Sequence, residues 1–460
     1  MRYQLLTLAL LFLGMATYPQ KNTPSQTSQA ESIKNDMQHA WTAYKTYAWG
    51  HDVLKPLSKT GYDWYNRSLF ISPIDAYSTL YVMGFEDETK RIEKFVADSL
   101  NFDSDIFVKT FEVNIRVLGG LLNMYQNTGN QAVLNKAIDF ANRILPAFNS
   151  ATGLPYYWVN LKTGAVKGDT INVAEAGSYV IEMGMLSWFT KNPRYYQAAR
   201  QAMSALHERR SALGLLGQDI RVSTGEWTNK ASHIGACTDS YYEYLYKGWV
   251  LFKDPLLKTQ WDESIVAINK YVATEKDGRL WYGRVDMETG KPTGNYVTLW
   301  DAYFPAILAL SGDLSRAERL QDTWDYVWKL HGIEPMVYDF GKNEIRNPAY
   351  DLNPEIIESA YYLYRITGKK KYQEMVAFYL NSIREKCRTQ VAFTALADVR
   401  TGKQDDEMAT FFLAETLKYL YLTFADEATF SFNNHVFNTE AHPYDIRQLK
   451  AEEIGRRLGF

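Results

Sequence analysis

With 460 residues, 46% of them hydrophobic and 22% charged, the chain has the make-up of an ordinary soluble globular protein with room for a large core. Its net charge of −3 gives no reason to expect nucleic acid or an anionic membrane as a partner. Two cysteines, Cys237 and Cys387, exclude a disulfide framework and read as two free thiols.

From the N-terminus, Arg2 precedes an apolar run at 5–13, and Gly14-Met15-Ala16 offers small residues at the positions a signal peptidase reads. The run is too short to span a bilayer, so residues 1–16 are expected to be a secretory signal peptide rather than a stable membrane anchor. The mature chain would then start near Thr17, in the periplasm or outside the cell. Residues 17–33 are polar, rich in Gln, Thr and Ser, and read as a flexible leader.

Beyond the leader one phrase recurs: an apolar helix rich in Tyr and Leu, a turn with Gly, Asn or Asp, then a charged amphipathic helix. The apolar helices fall at 75–83, 115–125, 177–189, 240–251, 300–310, 356–366 and 411–424. Turns follow at Gly84, Gly129-Asn130, Asn192-Pro193, Asp254-Pro255, Gly312-Asp313, Thr367-Gly368 and Asp426. A helix apolar nearly all round is buried on both sides, whereas the charged partners at 89–99, 194–208 and 370–387 belong outside. Seven such hairpins at roughly 45–60-residue spacing predict an all-α, closed (α/α)7 barrel over 34–446, followed by a tail at 447–460. An open solenoid would leave the apolar helices exposed. The loops at 161–164, 223–226, 288–290 and 400–402 read as short β-hairpins crowding one end of the ring.

Acidic residues take a fixed place in this repeat. Glu112, Asp239 and Glu355 each open an apolar helix, roughly 13–17 residues before its turn. Glu182 and Glu415 sit about a turn further along theirs and face the axis if the register holds. A single acid there would be an ordinary first-turn carboxylate. Several converging from separate repeats need a cation, a polar ligand, or both. Glycoside hydrolysis uses such a set, one carboxyl to protonate the leaving oxygen and another to activate water. The 33 Tyr and 12 Trp suit sugar C–H faces as well as a core.

At these residues the sequence resembles glycoside hydrolase family 47, the class I α-1,2-mannosidases. The motifs are Phe111-Glu112-Val113-Asn114-Ile115-Arg116, Asp239-Ser240-Tyr241-Tyr242-Glu243-Tyr244, Pro354-Glu355-Ile356-Ile357-Glu358-Ser359, Phe411 to Glu415, and Phe437-Asn438-Thr439-Glu440-Ala441-His442-Pro443. The stretches around Phe304-Pro305 and Asp398-Val399-Arg400 look closest to the ER degradation-enhancing branch. The resemblance implies an exo-acting, inverting, Ca²⁺-dependent α-mannosidase that takes a mannose-containing oligosaccharide or glycan. Glu112 would be the general acid, helped by Arg116, with Asp239 a second acidic participant and Glu355 the general base. Thr439 would hold Ca²⁺ through carbonyl and hydroxyl, with Glu358, Glu415 and Glu440 ordering the waters around it. Phe411 would stack under the sugar ring, and Glu182 would line the cleft. Asn353 stands where the base motif usually has Arg. A second reading is a mannose- or glycoprotein-binding module that keeps the pocket with little turnover; the joint presence of Glu112, Asp239, Glu355 and Thr439 favours the enzyme. The chain is expected to act as a monomer.

Overall fold

A computed structural model describes residues 26–460; the apolar run at 5–13 and its cleavage position lie outside them. The apolar helices form an inner ring and the charged ones an outer layer. The inner helices begin with Ile71–Val82. The second is a continuous stack of Thr110–Val113, Asn114–Leu118 and Gly119–Thr128. The third is Val173–Gly177 with Val180–Thr190, and the fourth Asp239–Phe252. Leu299–Tyr303 with Phe304–Leu310, Glu355–Thr367, and Phe412–Thr416 with Leu417–Phe424 complete the set. Each inner helix touches the next, and the seventh touches the first, so the ring is closed.

Local chemistry explains the phrase. Ile71–Val82 buries every residue from Ile71 to Leu80, as a helix packed on two sides must. The outer helix Gln131–Ile144 buries only Val133, Leu134, Ala137, Phe140, Ala141 and Ile144, one stripe of a 3.6-residue period. The turn residues are also caps: Asn130, Asp254 and Asp313 each accept a backbone N–H from the first turn of the outer helix that follows. Gly368 ends the sixth inner helix in the left-handed region, at φ 68°.

The seventh hairpin is closed by the two ends of the chain. The outer helix that packs on the last inner helix is Gln26–Tyr47, the first in sequence. That helix takes in residues 26–33, which composition alone assigned to the leader. Ala30, Ile33 and Met37 are buried at helical spacing, and that apolar stripe outweighs the polar residues between. Beyond the last inner helix, strands His435–Phe437 and Pro443–Asp445 pair antiparallel. This hairpin enters the ring from the C-terminal end of the inner helices: Asn123 Nδ2 donates to the Pro443 carbonyl and, deeper in, Asn438 Nδ2 to the Ile115 carbonyl. A final helix, Ala451–Leu458, buries Ile454 and Leu458 against the third and fourth inner helices.

The loops at the other end form two- and three-stranded antiparallel sheets. Phe107–Lys109, Thr170–Asn172 and Tyr296–Thr298 run straight into inner helices and pair with strands of the next repeat. The predicted turns at 161–164, 223–226, 288–290 and 400–402 each join two paired strands. In all four, a Thr-Gly pair puts the glycine at positive φ, with Gly164, Gly225, Gly290 and Gly402 between 66° and 73°. Among the described residues no helix is long and apolar enough to cross a membrane.

The barrel's stability can be probed away from the mouth. Asp254 is fully buried and accepts from Arg200 Nε at 2.6 Å, Tyr196 Oη at 2.9 Å and Leu256 N at 2.9 Å. Asp254→Ala removes the acceptor for Arg200, Tyr196 and Leu256 N and is expected to cost about 3 kcal/mol. Calorimetry should show a lower Tm; an unchanged Tm would mean that the turn contributes nothing to stability.

Candidate active site

Six of the seven inner helices, all but Ile71–Val82, deliver their first turns to a common cavity of ≈ 280 Å³ at the sheet end of the ring. Glu112, Asp239 and Glu355 all line it, together with Arg116, Glu358, Phe411, Glu415, Thr439 and Glu440. The register argument therefore holds for Glu415 as well as for the three helix-opening acids.

Backbone irregularity accompanies these residues. Asn114–Leu118 and Phe412–Thr416 are π-helical turns, which carry Arg116 and Glu415; the first begins two residues after Glu112 and the second directly after Phe411. Such bulges widen a helix by one residue and turn the side chains that follow, and they concentrate at functional sites. Three non-glycine residues at positive φ stand beside the cluster: Cys237 (79°) before Asp239, Leu352 (69°) before Glu355, and Ala441 (55°) after Glu440. Strain of this kind persists only where packing over-determines it.

Glu182 takes a different place from the one the resemblance implies. It is fully buried behind the cavity wall, accepting from Tyr244 Oη at 2.7 Å, Asn438 Nδ2 at 2.8 Å and Asn114 Nδ2 at 2.9 Å. It ties the central hairpin to the inner ring and does not line the cleft. The third inner helix is interrupted at Ser178 and Tyr179, so the register carried from the other repeats fails beyond that point. The acid that does reach the cavity from this repeat is Glu175. Its signal was present in the sequence: Asn172 caps the helix by accepting from Glu175 N at 2.8 Å, giving Glu175 the same first-turn position as Glu112, Asp239 and Glu355. Glu243, one turn after Asp239, is a second lining acid outside the expected set.

Eight carboxyl groups thus line one cavity: Glu112, Glu175, Asp239, Glu243, Glu355, Glu358, Glu415 and Glu440. Arg116 is the cation among the lining residues. Its Nε donates to Glu112 at 3.1 Å and its Nη1 to Thr410 Oγ1 at 3.1 Å and to Glu440. Burial opposes its charge, but Glu440, Glu112, Asp75 and Glu415 more than offset this and hold it protonated. Behind the wall Lys247 pairs with Glu243 and, at 3.3 Å, with Glu358. Burial pushes the Asp239 carboxyl up to about 8, with Glu243 and Asp301 adding to the effect. Burial pushes Glu355 up to about 8 as well, Glu358 and Asp239 contributing. Glu175 and Glu358 rise to about 7, again chiefly through burial. Burial raises the Glu415 carboxyl, with Glu440, Glu355 and Glu358 adding to it, and burial raises Glu440 as well, Arg116 opposing and Asp75 and Glu112 adding.

So many acids around one cavity, half of them buried, with so little positive charge suit a hard cation. Glu355 Oε2 has no hydrogen-bond partner although it is buried. Among the described residues no three His, Cys, Asp or Glu side chains are grouped to hold a metal ion directly. A cation here would depend on Thr439 and on water, with the carboxyls one step further out, and the oxygen-rich lining fits that arrangement. Cys237 and Cys387 are both free thiols, Cys237 in the cavity wall and Cys387 buried at the end of Lys370–Lys386.

Comparison with known proteins bears on the same region. The sequence model of glycosyl hydrolase family 47 matches residues 36–446. Alpha-mannosidase I MNS5 of Arabidopsis thaliana is 34% identical over 472 residues, covering 96% of this chain and 81% of that protein. ER degradation-enhancing alpha-mannosidase-like protein 2 of Homo sapiens is 36% identical over 468 residues, covering 94% and 80%. Among solved structures, an alpha-1,2-mannosidase from Trichoderma reesei superposes with a TM-score of 0.84 at 28% identity, over 92% of this chain and 100% of that one.

Proposed function

From the premise that this chain belongs to glycosyl hydrolase family 47 and is a glycoside hydrolase, we propose that it is an exo-acting, inverting, Ca²⁺-dependent α-1,2-mannosidase. The observation that carries this reading is the convergence of Glu112, Asp239 and Glu355, from three separate inner helices, on one cavity that also contains Phe411 and Thr439. The names of the relatives support the α-linked mannose and the 1,2 bond.

In this reading the terminal mannose lies in the enclosed cavity with one face on the Phe411 ring. Glu112 protonates the departing glycosidic oxygen, with Asp239 as the neighbouring acid. Glu355 takes a proton from water on the opposite face of the sugar. Arg116 orients Glu112 through its Nε and fixes Glu440 through Nη1. Thr439 would hold Ca²⁺, with Glu358, Glu415 and Glu440 as the carboxyls around it. When bound, the ion would supply positive charge that offsets the crowded carboxylates and favours binding of sugar hydroxyls. The natural substrate is a mannose-capped oligosaccharide or glycan, met outside the cytoplasm if residues 1–16 act as an export signal.

A screen of α-1,2-, α-1,3- and α-1,6-mannobiose, with and without EDTA, tests the proposal. Mannose release is expected from the α-1,2 isomer, to be abolished by EDTA and restored by Ca²⁺. Mg²⁺ should restore it poorly, because it sheds its water reluctantly. Full activity after exhaustive chelation would remove the ion from the mechanism, and release from the other isomers alone would overturn the linkage.

A further inference from the structure

Cys237, Leu352 and Ala441, the non-glycine residues at positive φ beside the cavity, each have their carbonyl held by a donor on another inner helix. Ala174 N donates to the Cys237 carbonyl at 2.9 Å, Thr416 Oγ1 to the Leu352 carbonyl at 2.6 Å and Lys418 Nζ to the Ala441 carbonyl at 2.5 Å. The last two donors are side chains, and they stand two residues apart on the seventh inner helix. At about 100° of rotation per residue they leave that helix on roughly opposite sides. One reaches the loop ahead of Glu355, and the other reaches the hairpin turn that carries Thr439.

Neither bond is the one that local chemistry favours. A threonine inside a helix usually bonds the carbonyl one turn back; Thr416 donates to Leu352 instead. Lys418 is fully buried, and its two acceptors, Ser78 Oγ at 2.8 Å and the Ala441 carbonyl, are both neutral. An amine buried without a charged acceptor is costly, and methionine fills the same space without that cost. Ser78 Oγ in turn stands 3.3 Å from Nδ1 of His442, the residue after Ala441. On its far side the same turn is tied by Asn438 Nδ2 to Glu182 and by Thr439 N to Tyr244 Oη. Left-handed φ is uphill for leucine and alanine, so each loop relaxes once its carbonyl is released.

We propose that Thr416 and Lys418 are positioning residues, which from one helix fix the loop of the base Glu355 and the turn of Thr439 relative to each other. The inference rests on the reading of Glu355 as the base and of Thr439 as the residue that holds Ca²⁺. Neither Thr416 nor Lys418 lies in the cavity lining, so both act through the backbone of another segment.

Lys418→Met, alone and combined with Ala441→Gly, and Thr416→Val beside the conservative Thr416→Ser test this. Ca²⁺ is titrated calorimetrically into the metal-stripped protein, and turnover is measured at saturating Ca²⁺. Lys418→Met is expected to bind Ca²⁺ about tenfold or more weaker than the parent. The added glycine should recover at least about threefold, because it holds φ 55° without strain. Thr416→Val should bind Ca²⁺ within about twofold of the parent yet lose about tenfold in kcat on α-1,2-mannobiose at nearly unchanged KM, and Thr416→Ser should keep the parental kcat. A general loss of stability would lower Tm without sorting the two defects in this way. Parental Ca²⁺ affinity in Lys418→Met, or no recovery by glycine, overturns the role of Lys418; parental kcat in Thr416→Val overturns that of Thr416. Should Lys418→Met not fold, Ser78→Ala takes its place: Ca²⁺ binding about threefold weaker supports the role and parental affinity overturns it. If the parent neither binds Ca²⁺ nor releases mannose, the functional reading fails, and hydrogen exchange decides this inference alone. Exchange at least about tenfold faster across 350–356 in Thr416→Val and across 436–442 in Lys418→Met supports it, and parental exchange overturns it.

Discussion

Glu355→Gln is expected to lower turnover of α-1,2-mannobiose about 10²–10⁴-fold, the usual scale for a positioned acid or base, while sugar affinity is largely kept. Glu355 is the first residue of the sixth inner helix, half-buried at the cavity wall, with Asn353 Nδ2 at 3.5 Å from one oxygen and no partner on the other, buried one. Glutamine keeps the volume and the acceptor but cannot take a proton from water. The base must be ionised, and burial, with Glu358 and Asp239, raises its carboxyl to about 8. The sign follows: as pH falls through that range Glu355 takes up a proton and activity declines on the acid side. An inverting pair needs room for water, so the Glu112 and Glu355 carboxyls should stand about 6.5–9.5 Å apart when substrate is bound. A proton spectrum taken early in hydrolysis should show β-mannose as the first product. α-Mannose first, or a glycosyl group trapped on Glu355, would overturn the assignment even for an active mannosidase.

Glu112→Gln should lose a comparable 10²–10⁴-fold on mannobiose yet stay within about tenfold of the parent on α-mannosyl fluoride, because fluoride departs without protonation. Two residues compete for this role. Glu112 lines the cavity and accepts from Arg116 Nε at 3.1 Å. Asp239, raised to about 8 by burial, is the other. Asp239→Asn measured on the same two substrates separates them: the variant that recovers on the fluoride has lost the proton donor, and the one that stays impaired on both acts otherwise. Recovery by Asp239→Asn alone would move the general acid from Glu112 to Asp239.

Some elements of this fold are settled by near neighbours in the chain and others by distant ones. The alternation of apolar and charged helices is written in near-neighbour periodicity, because a helix packed on both sides has no polar face. Asn130, Asp254 and Asp313 mark starts of outer helices, and the Thr-Gly pairs mark hairpin turns, because capping and positive φ are settled within a few residues. Glu112, Asp239 and Glu355 were legible for the same reason: each opens its inner helix, and a helix opening is a local event. Glu175 obeys that rule too and could have been found from Asn172.

Other features depend on residues far apart in the chain, and only the packed structure decided them. The partner of the last inner helix is the first helix of the chain, so residues 26–33 became helical once Ala30 and Ile33 had a surface to cover. The break at Ser178 and Tyr179 turned Glu182 away from the cavity and onto Asn438, a contact 256 positions away. The π-turns that aim Arg116 and Glu415 have no local signature either. The sequence by itself determined which residues stand at helix ends and which helix faces are apolar, since these follow from neighbours a turn away. Tertiary structure decided which acids meet, and what shape of sugar they meet around, because burial and contact are set by chain segments that periodicity cannot bring together.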